Sequence, residues 1–475
     1  MNTDFDLIVI GSGPAGEKGA EEAAYFGKRV ALIERAVHPG GAGINTGTVP
    51  SKTLRETALY FSGLLQRGLY GIDYSLKKDV SVSDFMHRKQ IVVEEEWKII
   101  NRNFQKHKID LFQANASIKD PHTVHLVKDS GAEQDLTSEI ILIATGSAPF
   151  HPEGIDFDHS LIHDSDSILE IGSIPKSMAV IGGGVIGSEY ASVFAALGVK
   201  VTLIAPREKL LAFVDDEITA ILIKGLEEFG VHLMFLDWQA KLEAHTDHVT
   251  LLLPLGQTLD CDVALFPAGR QGNTNGLGLE SLGMELGSRG LIKVNKYFQT
   301  NIPNIYAAGD VIGFPALASS SMEQSRAAMV HAFGLRDKET VLPVIPLAVY
   351  TIPEVSMVGL TEEDCKEKNI PYLVGRAYYT NNPRGLIIGD ENGMFKLIFS
   401  PTDKTLLGVH ILGELASELI HIGAYVLEEK GTIDRFTTAV YNFPTLSDMY
   451  KYAAYDGLTK LDEYNSAQTN AKSDL

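Results

Sequence analysis

Cysteine is almost missing from this chain: Cys261 and Cys365 are the only two in 475 residues. That count excludes a disulfide framework, and neither residue has a second cysteine at a redox-type or zinc-type spacing, so no metal is expected. Positive charge is also scarce. Lys and Arg total 41 against 61 Asp and Glu, a net charge of −20, which repels phosphate backbones and anionic lipid. Nucleic acid and membrane surfaces are therefore not expected partners. No apolar run approaches the roughly 20 residues of a membrane span. No basic, then apolar, cleavable leader precedes Leu7-Ile8-Val9-Ile10, so a cytoplasmic location is the expectation.

What is present is an ordinary globular composition, 45% hydrophobic and 21% charged with 44 glycines, in a chain long enough for several packed units. Two stretches repeat one another. Phe5 to Ile10 reads as a buried parallel strand, followed by Gly11-Ser12-Gly13-Pro14-Ala15-Gly16, an Ala- and Glu-rich helix, and a strand Val30 to Glu34. Met178 to Ile181 leads in the same way into Gly182-Gly183-Gly184-Val185-Ile186-Gly187, a helix through Ala196, and a strand Lys200 to Ala205.

A Gly-x-Gly-x-x-Gly loop between strand and helix suits a dinucleotide. The first glycine makes the tight turn, the second admits the pyrophosphate, and the third lets helix and strand pack closely. The helix N-terminus then faces the phosphates. The end of the second strand decides which ribose is held, because a carboxylate there accepts ribose hydroxyls and repels a 2′-phosphate. The first copy ends in Glu34 and the second in Ala205-Pro206-Arg207. Arg207 either pairs with a 2′-phosphate, which admits NADP(H), or is a solvated loop cation.

Between the repeats, Val93, Trp97, Ile100 and Phe104 recur at helical steps and predict one apolar face packed on a neighbour. Beyond about residue 345 the glycine loops stop. Strand-like runs Phe395 to Phe399 and Leu407 to Ile411 precede a helix from about Ala416 to Glu429, which reads as a separate domain. Ser466 to Leu475 is polar and reads as a frayed end. Asn381 to Arg384 reads as a loop, and His421 as a hydrogen-bonded structural histidine. Cys261 and Cys365 lie outside every motif and read as packing or surface residues.

These motifs, with Ala144-Thr145-Gly146-Ser147, Ala268 to Thr274, Ile305 to Asp310 and Tyr350-Thr351-Ile352-Pro353-Glu354, resemble the pyridine nucleotide-disulfide oxidoreductase family over residues 5 to 460. The resemblance implies an α/β fold with two Rossmann-like dinucleotide-binding domains, for FAD and NAD(P)(H), and a C-terminal α+β dimerisation domain. The implied division is 1–150 for FAD, 151–275 for NAD(P), 276–345 returning to the FAD domain, and 346–475 for the interface of a homodimer or larger homo-oligomer.

Lys52 and Glu189 are implied as a catalytic pair beside flavin and nicotinamide. The implied cofactor-binding residues are Gly11, Gly13, Pro14, Ala15, Gly16, Glu34, Arg35, Gly41, Thr48, Lys52, Thr145, Gly146, Ser147, Gly182, Gly184, Val185, Ile186, Gly187, Glu189, Arg207, Gly269, Arg270, Gly309, Asp310, Leu317 and Ala318. A helix beginning near Leu317 would aim its positive end at the flavin ring.

The chain departs from the family at the disulfide. Gly43 and Thr48 stand where the reductases carry Gly-Gly-x-Cys-x-x-x-x-Cys, and Phe443-Pro444-Thr445 stands where they carry His-Pro-Thr. Neither glycine nor a threonine hydroxyl can relay two electrons as a thiol pair does. Thr48 and the aromatic residue before Pro444 are similar to the soluble transhydrogenase branch, though that branch commonly keeps the first cysteine. The expectation is hydride exchange between NADPH and NAD+ through flavin N5, one site used twice with ping-pong kinetics. Two rivals stand beside it: an NAD(P)H:quinone or dye reductase, and a non-catalytic FAD-bound structural or regulatory subunit.

Overall fold

Leu7 to Ile10 carry only apolar side chains and are buried, as a central parallel strand requires. Strand β1 (Phe5–Ile10) accordingly runs between two parallel neighbours. The computed structural model describes residues 3–63, 81–157, 160–205, 209–236, 241–335 and 344–473. Helix α1 (Pro14–Tyr25) places its proline in the first turn, where a missing N–H costs nothing, and leads to β2 (Val30–Glu34). Short α2 (Gly41–Asn45) and α3 (Thr48–Ser62) follow. The long α4 (Val82–His107) opens with a reciprocal capping box between Ser81 and Asp84.

Strands β3 (Asp110–Gln113), β4 (Asn115–Asp120), β5 (Thr123–Val127) and β6 (Glu133–Ile143) complete a sheet in the order β3-β2-β1-β6-β5-β4. Its β3 to β6 side is parallel, and β4, β5 and the start of β6 form antiparallel hairpins.

The chain then passes through β7 (Ser147–Pro149) and β8 (Ile162–His163) into the second glycine-loop unit. This contains β9 (Ser177–Ile181), α5 (Val185–Ala196), β10 (Lys200–Ala205), α6 (Asp216–Glu228) and β11 (His232–Phe235). An antiparallel flap of β12 (Leu242–Ala244), β13 (Val249–Leu252) and β14 (Thr258–Cys261) precedes β15 (Val263–Leu265). The sheet β11-β10-β9-β15-β8 is wholly parallel. Strand β16 (Arg270–Gly272) pairs antiparallel with β7, so the chain enters and leaves this unit along one seam. Next, β17 (Ile305–Ala307) adds to β6 of the first sheet, and α7 (Ala318–Phe333) packs beside α1.

The remainder builds an antiparallel sheet, β18 (Leu347–Val349), β19 (Val355–Gly359), β20 (Leu373–Tyr378), β21 (Met394–Phe399) and β22 (Leu406–Leu412), ordered β18-β19-β22-β21-β20. Helices α8 (Glu362–Glu367), α9 (Pro383–Ile388), α10 (Ala416–Glu428), α11 (Asp434–Thr438) and α12 (Met449–Ser473) accompany it.

Two local expectations are corrected and a third, the apolar face of α4, holds with one refinement. The polar tail is helical to Ser473, because Ala467, Gln468 and Asn470 continue α12 with exposed side chains and no apolar periodicity announces it. Asn381 to Arg384 is a structured corner in which buried Asn382 caps α9, accepting from the backbone of Arg384 and Gly385. Trp97 lies half-buried on α4, stacked on His38 and donating to Asn45 Oδ1 at 2.8 Å, while Val93, Ile100 and Phe104 are buried.

The second unit meets the C-terminal sheet through a buried charge cluster. Lys396, on β21 and 1% exposed, reaches Asp215 at 2.7 Å, Glu217 at 2.9 Å and Glu362 at 2.5 Å. Arg376 lies 2.7 Å from Glu217, and the Tyr372 hydroxyl donates to Glu362. Buried His410 hydrogen-bonds the Leu360 carbonyl. Burial works against ionising the three carboxyls, yet their partners outweigh it. His410 and Lys396 for Asp215, Arg376 and Lys396 for Glu217, and Lys396 and Tyr372 for Glu362 leave each below its ordinary value. Burial opposes the Lys396 charge as well, but Asp215 and Glu362 hold it above its ordinary value. Burial pushes the His410 imidazole down.

The signs set a pH window. The depressed carboxyls stabilise the fold above the ordinary range of about 4 and cease to do so as pH falls through their folded values. Depressed His410 acts in the same direction, its contribution fading below about 6.5. Lys396, being raised, stabilises below about 10.4 and is lost as pH climbs past its folded value. The urea midpoint should therefore be highest between neutrality and mild alkalinity and drop in acid. A midpoint unchanged from pH 7 to 3.5 would contradict the cluster's role.

Candidate active site

The two glycine loops solve one steric problem twice. A Cβ on Gly16 would fall 1.8 Å from the Gly11 carbonyl oxygen, and one on Gly187 would fall 2.0 Å from that of Gly182. Gly11 also needs its left-handed φ of +100°, since a Cβ there would meet Ala144 O at 2.4 Å. Gly13 and Gly184 are the N-caps of α1 and α5 and offer no side chain to the first turn. Both helices therefore begin with free N–H groups and partial positive charge, the arrangement that receives a phosphate anion. Gly16→Ala should give protein without bound flavin. Gly187→Ala should keep the yellow colour and weaken nicotinamide dinucleotide binding on the order of 100-fold in Kd by equilibrium titration.

The strand ends differ. Glu34 Oε2 accepts from the Ser12 amide at 2.9 Å and the Ser12 hydroxyl at 2.6 Å, and Oε1 from the Ala36 amide. Ala205 is buried at the matching place and packs against Gly183. Among the described residues no carboxylate stands at that end of β10, and Arg207 lies outside them.

Between the units runs a cleft of about 1540 Å³, larger than the roughly 300–1,000 Å³ of a single small-ligand site. It brings together Gly11, Gly13, Pro14 and Ala15 with Glu34, Arg35, Gly41, Thr48 and Lys52 of the first unit. Thr145, Gly146, Ser147, Arg270, Gly309, Asp310, Leu317 and Ala318 also line it, as do Val185, Ile186 and Glu189 from the second unit. Gly16, Gly182, Gly184, Gly187 and Gly269 do not line it and serve the backbone path behind its wall. Tyr350 and Ser417, lining it from the C-terminal domain, were not anticipated. Tyr350 stands in a recognised motif without an assigned role, and nothing local marks Ser417.

At the meeting of all three parts, Lys52 Nζ lies 2.9 and 2.8 Å from the two carboxylate oxygens of Glu189. The Glu189 side chain is 8% exposed, so its charge depends on a partner. The Tyr350 amide supplies a second donor to Glu189 at 2.9 Å.

Asp310 is held differently. Arg270 Nε donates to the Ser147 hydroxyl at 2.7 Å, which donates to Asp310 at 2.8 Å. The other Arg270 nitrogens reach the Ser147 carbonyl, Ser165 and Asp166. All of the guanidinium's nitrogens are thus engaged by protein.

These residues fit FAD. The Thr145 hydroxyl is buried in the cleft wall without a partner, a group a ligand would satisfy. Helices α1 and α7 start there without side-chain caps, α7 at Leu317.

Gly43 and Thr48 both line the cleft. A Cβ on Gly43 would sit 2.8 Å from the Pro14 ring, so the glycine admits Pro14 as well as lacking a thiol. Cys261 and Cys365 are buried in the second unit and the C-terminal domain, away from the cleft lining. Phe443 is 73% exposed. His421 is no buried structural residue: the apolar face of α10 is Ala416, Leu419, Ile420 and Gly423, which turns His421 outward onto the cleft rim.

The sequence matches the family described as pyridine nucleotide-disulphide oxidoreductase over residues 5–332, and that family's dimerisation domain over residues 345–454. Soluble pyridine nucleotide transhydrogenase from Mycobacterium tuberculosis (strain ATCC 25177 / H37Ra) is 43% identical over 464 residues, 97% of this chain and 99% of its own. The protein of that name from Salmonella enteritidis PT4 is 40% identical over 96% of this chain and 99% of its own. Among solved structures, LpdA from M. tuberculosis superposes with a TM-score of 0.87 at 25% identity, covering 95% of this chain and 99% of that one. The HOCl-induced flavoprotein disulfide reductase RclA from Escherichia coli, as its Cu(II) complex, gives 0.86 at 26% identity, covering 96% and 99%.

Proposed function

This chain belongs to the pyridine nucleotide-disulphide oxidoreductase family, and from that premise we propose that it is a soluble-type transhydrogenase moving hydride between NADPH and NAD+. The observation that carries the reading is a cleft with the Lys52–Glu189 pair at its centre and Gly43 and Thr48, not thiols, on its wall. Disulfide exchange requires a thiolate and a resolving thiol, and the lining residues provide neither.

FAD, when bound, supplies the two-electron centre that takes hydride from one nicotinamide and yields it to another. The chain's own residues bind, orient and polarise. The α1 and α5 termini hold the two pyrophosphates. Glu34 takes the adenosine ribose of the flavin nucleotide, and Asp310, steadied by Ser147, its side chain. Ala205 leaves the second ribose site without a repelling acid, so a 2′-phosphate is tolerated. Lys52 places an ammonium, and α7 a helix N-terminus, where negative charge gathers on reduction. Alignment of donor and acceptor carries most of the remaining rate. Cytoplasmic location belongs to this reading; among the described residues no helix is long and apolar enough to cross a membrane.

The test is an anaerobic one. The purified holoenzyme is bleached with NADPH, then mixed in turn with an NAD+ analogue, a quinone and lipoamide. Reoxidation by the NAD+ analogue is expected. Turnover by quinone alone would make it a diaphorase, and turnover by lipoamide would refute the argument from missing thiols.

A further inference from the structure

Tyr350 touches both members of the central ion pair. Its amide donates to Glu189 at 2.9 Å, and Lys52 Nζ lies 4.8 Å from the centre of its ring. At that distance the negative face of the ring attracts the ammonium. Among the described residues Lys52 has one further polar neighbour, Ser51 Oγ at 3.4 Å, so the Glu189 carboxylate and this ring define where its charge sits.

The ring is itself braced. Burial pushes the Tyr350 phenol up, offset in part by a side-chain hydrogen bond with Ser417. Ser417 donates its amide and hydroxyl to Glu354 Oε2 at 3.1 and 2.9 Å. Buried Arg55, on the same helix as Lys52, pairs with Glu354 at 3.2 Å and donates to the Thr351 carbonyl. The path Arg55, Glu354, Ser417, Tyr350 thus leaves α3 three residues beyond Lys52 and returns to the Lys52 ammonium.

We propose that Tyr350 is a positioning residue for hydride transfer: its ring sets the location of the Lys52 ammonium, and its backbone fixes Glu189. The proposal deepens the functional reading above and rests on it only for its consequence at the flavin. A side-chain substitution leaves the amide in place, so ring and backbone contributions separate. Tyr350→Phe keeps the aromatic face and loses the phenol, whereas Tyr350→Leu keeps an apolar side chain and loses the face.

Two measurements on the holoenzyme test it. Modification of Lys52 by an amine-reactive acylating reagent, followed by mass spectrometry, should rise several-fold in Tyr350→Leu and stay near the parent value in Tyr350→Phe. The midpoint potential of bound flavin should become more negative in Tyr350→Leu alone, because a displaced ammonium stabilises the reduced ring less. NADPH-driven bleaching should slow about 5- to 30-fold in that variant. Equal Lys52 labelling in all three proteins overturns the proposal, as does a potential that moves equally in both variants. A parent protein without flavin would sink the functional reading, and the labelling comparison, repeated on that protein, would still decide the role of Tyr350.

Discussion

A Lys52→Met enzyme should keep its flavin and its fold yet be bleached by NADPH about 10²–10³-fold more slowly, the range seen when one preorganised electrostatic group is removed from a site. The size follows from the surroundings. Lys52 Nζ makes two contacts under 3 Å to a carboxylate that is nearly enclosed. Removing the ammonium also leaves the buried Glu189 carboxylate with the Tyr350 amide as its remaining described donor, short of a countercharge. Lys52→Met/Glu189→Gln should therefore recover thermal stability lost in the single variant without recovering rate. Stopped-flow absorbance at the flavin band reads the first effect and thermal unfolding the second. Rates within threefold of the parent for Lys52→Met would remove the pair from the mechanism.

The second large effect lies far from the cleft. Lys396→Met should destabilise the protein by about 3–5 kcal/mol, the cost of deleting one partner from a buried ionic contact. Lys396 is 1% exposed and faces three carboxylates, with Arg376 the other cation among them. The variant should also flatten the acid side of the stability profile, because the carboxyls lose the lysine that helps hold them below their ordinary values. Urea unfolding at pH 5, 7 and 9 checks both points. A loss below 1 kcal/mol at pH 7 would mean that water or a shifted Arg376 neutralises the cluster.

How far the sequence was legible depended on whether a feature was local. The glycine loops were readable because the demand on Gly16 comes from Gly11, five residues away in the same turn. Lys52 and Glu189 are 137 positions apart, and only family resemblance joined them. Tyr350 contributes through its amide, which no side-chain pattern reports. Lys396 sits within a strand-like run, where a lysine ordinarily marks a solvated face; its partners come from α6 and α8, elements whose approach to β21 is purely tertiary. His421 was misread because an apolar helix suggests burial all round, while the buried stripe of α10 spans one side only. Arg270, expected among the cofactor contacts, lines the cleft, and its nitrogens also bind Ser147, Ser165 and Asp166, partners that no local pattern announces.

That arginine sits where β7 and β16 pair, among the described residues the only strands that run side by side between the first unit and the second. It rivets that joint, and the Lys52–Glu189 contact is a second fastening between the two units. On the proposed reading, Asp310, tied through Ser147 to this same joint, gives the flavin an anchor shared with the joint itself.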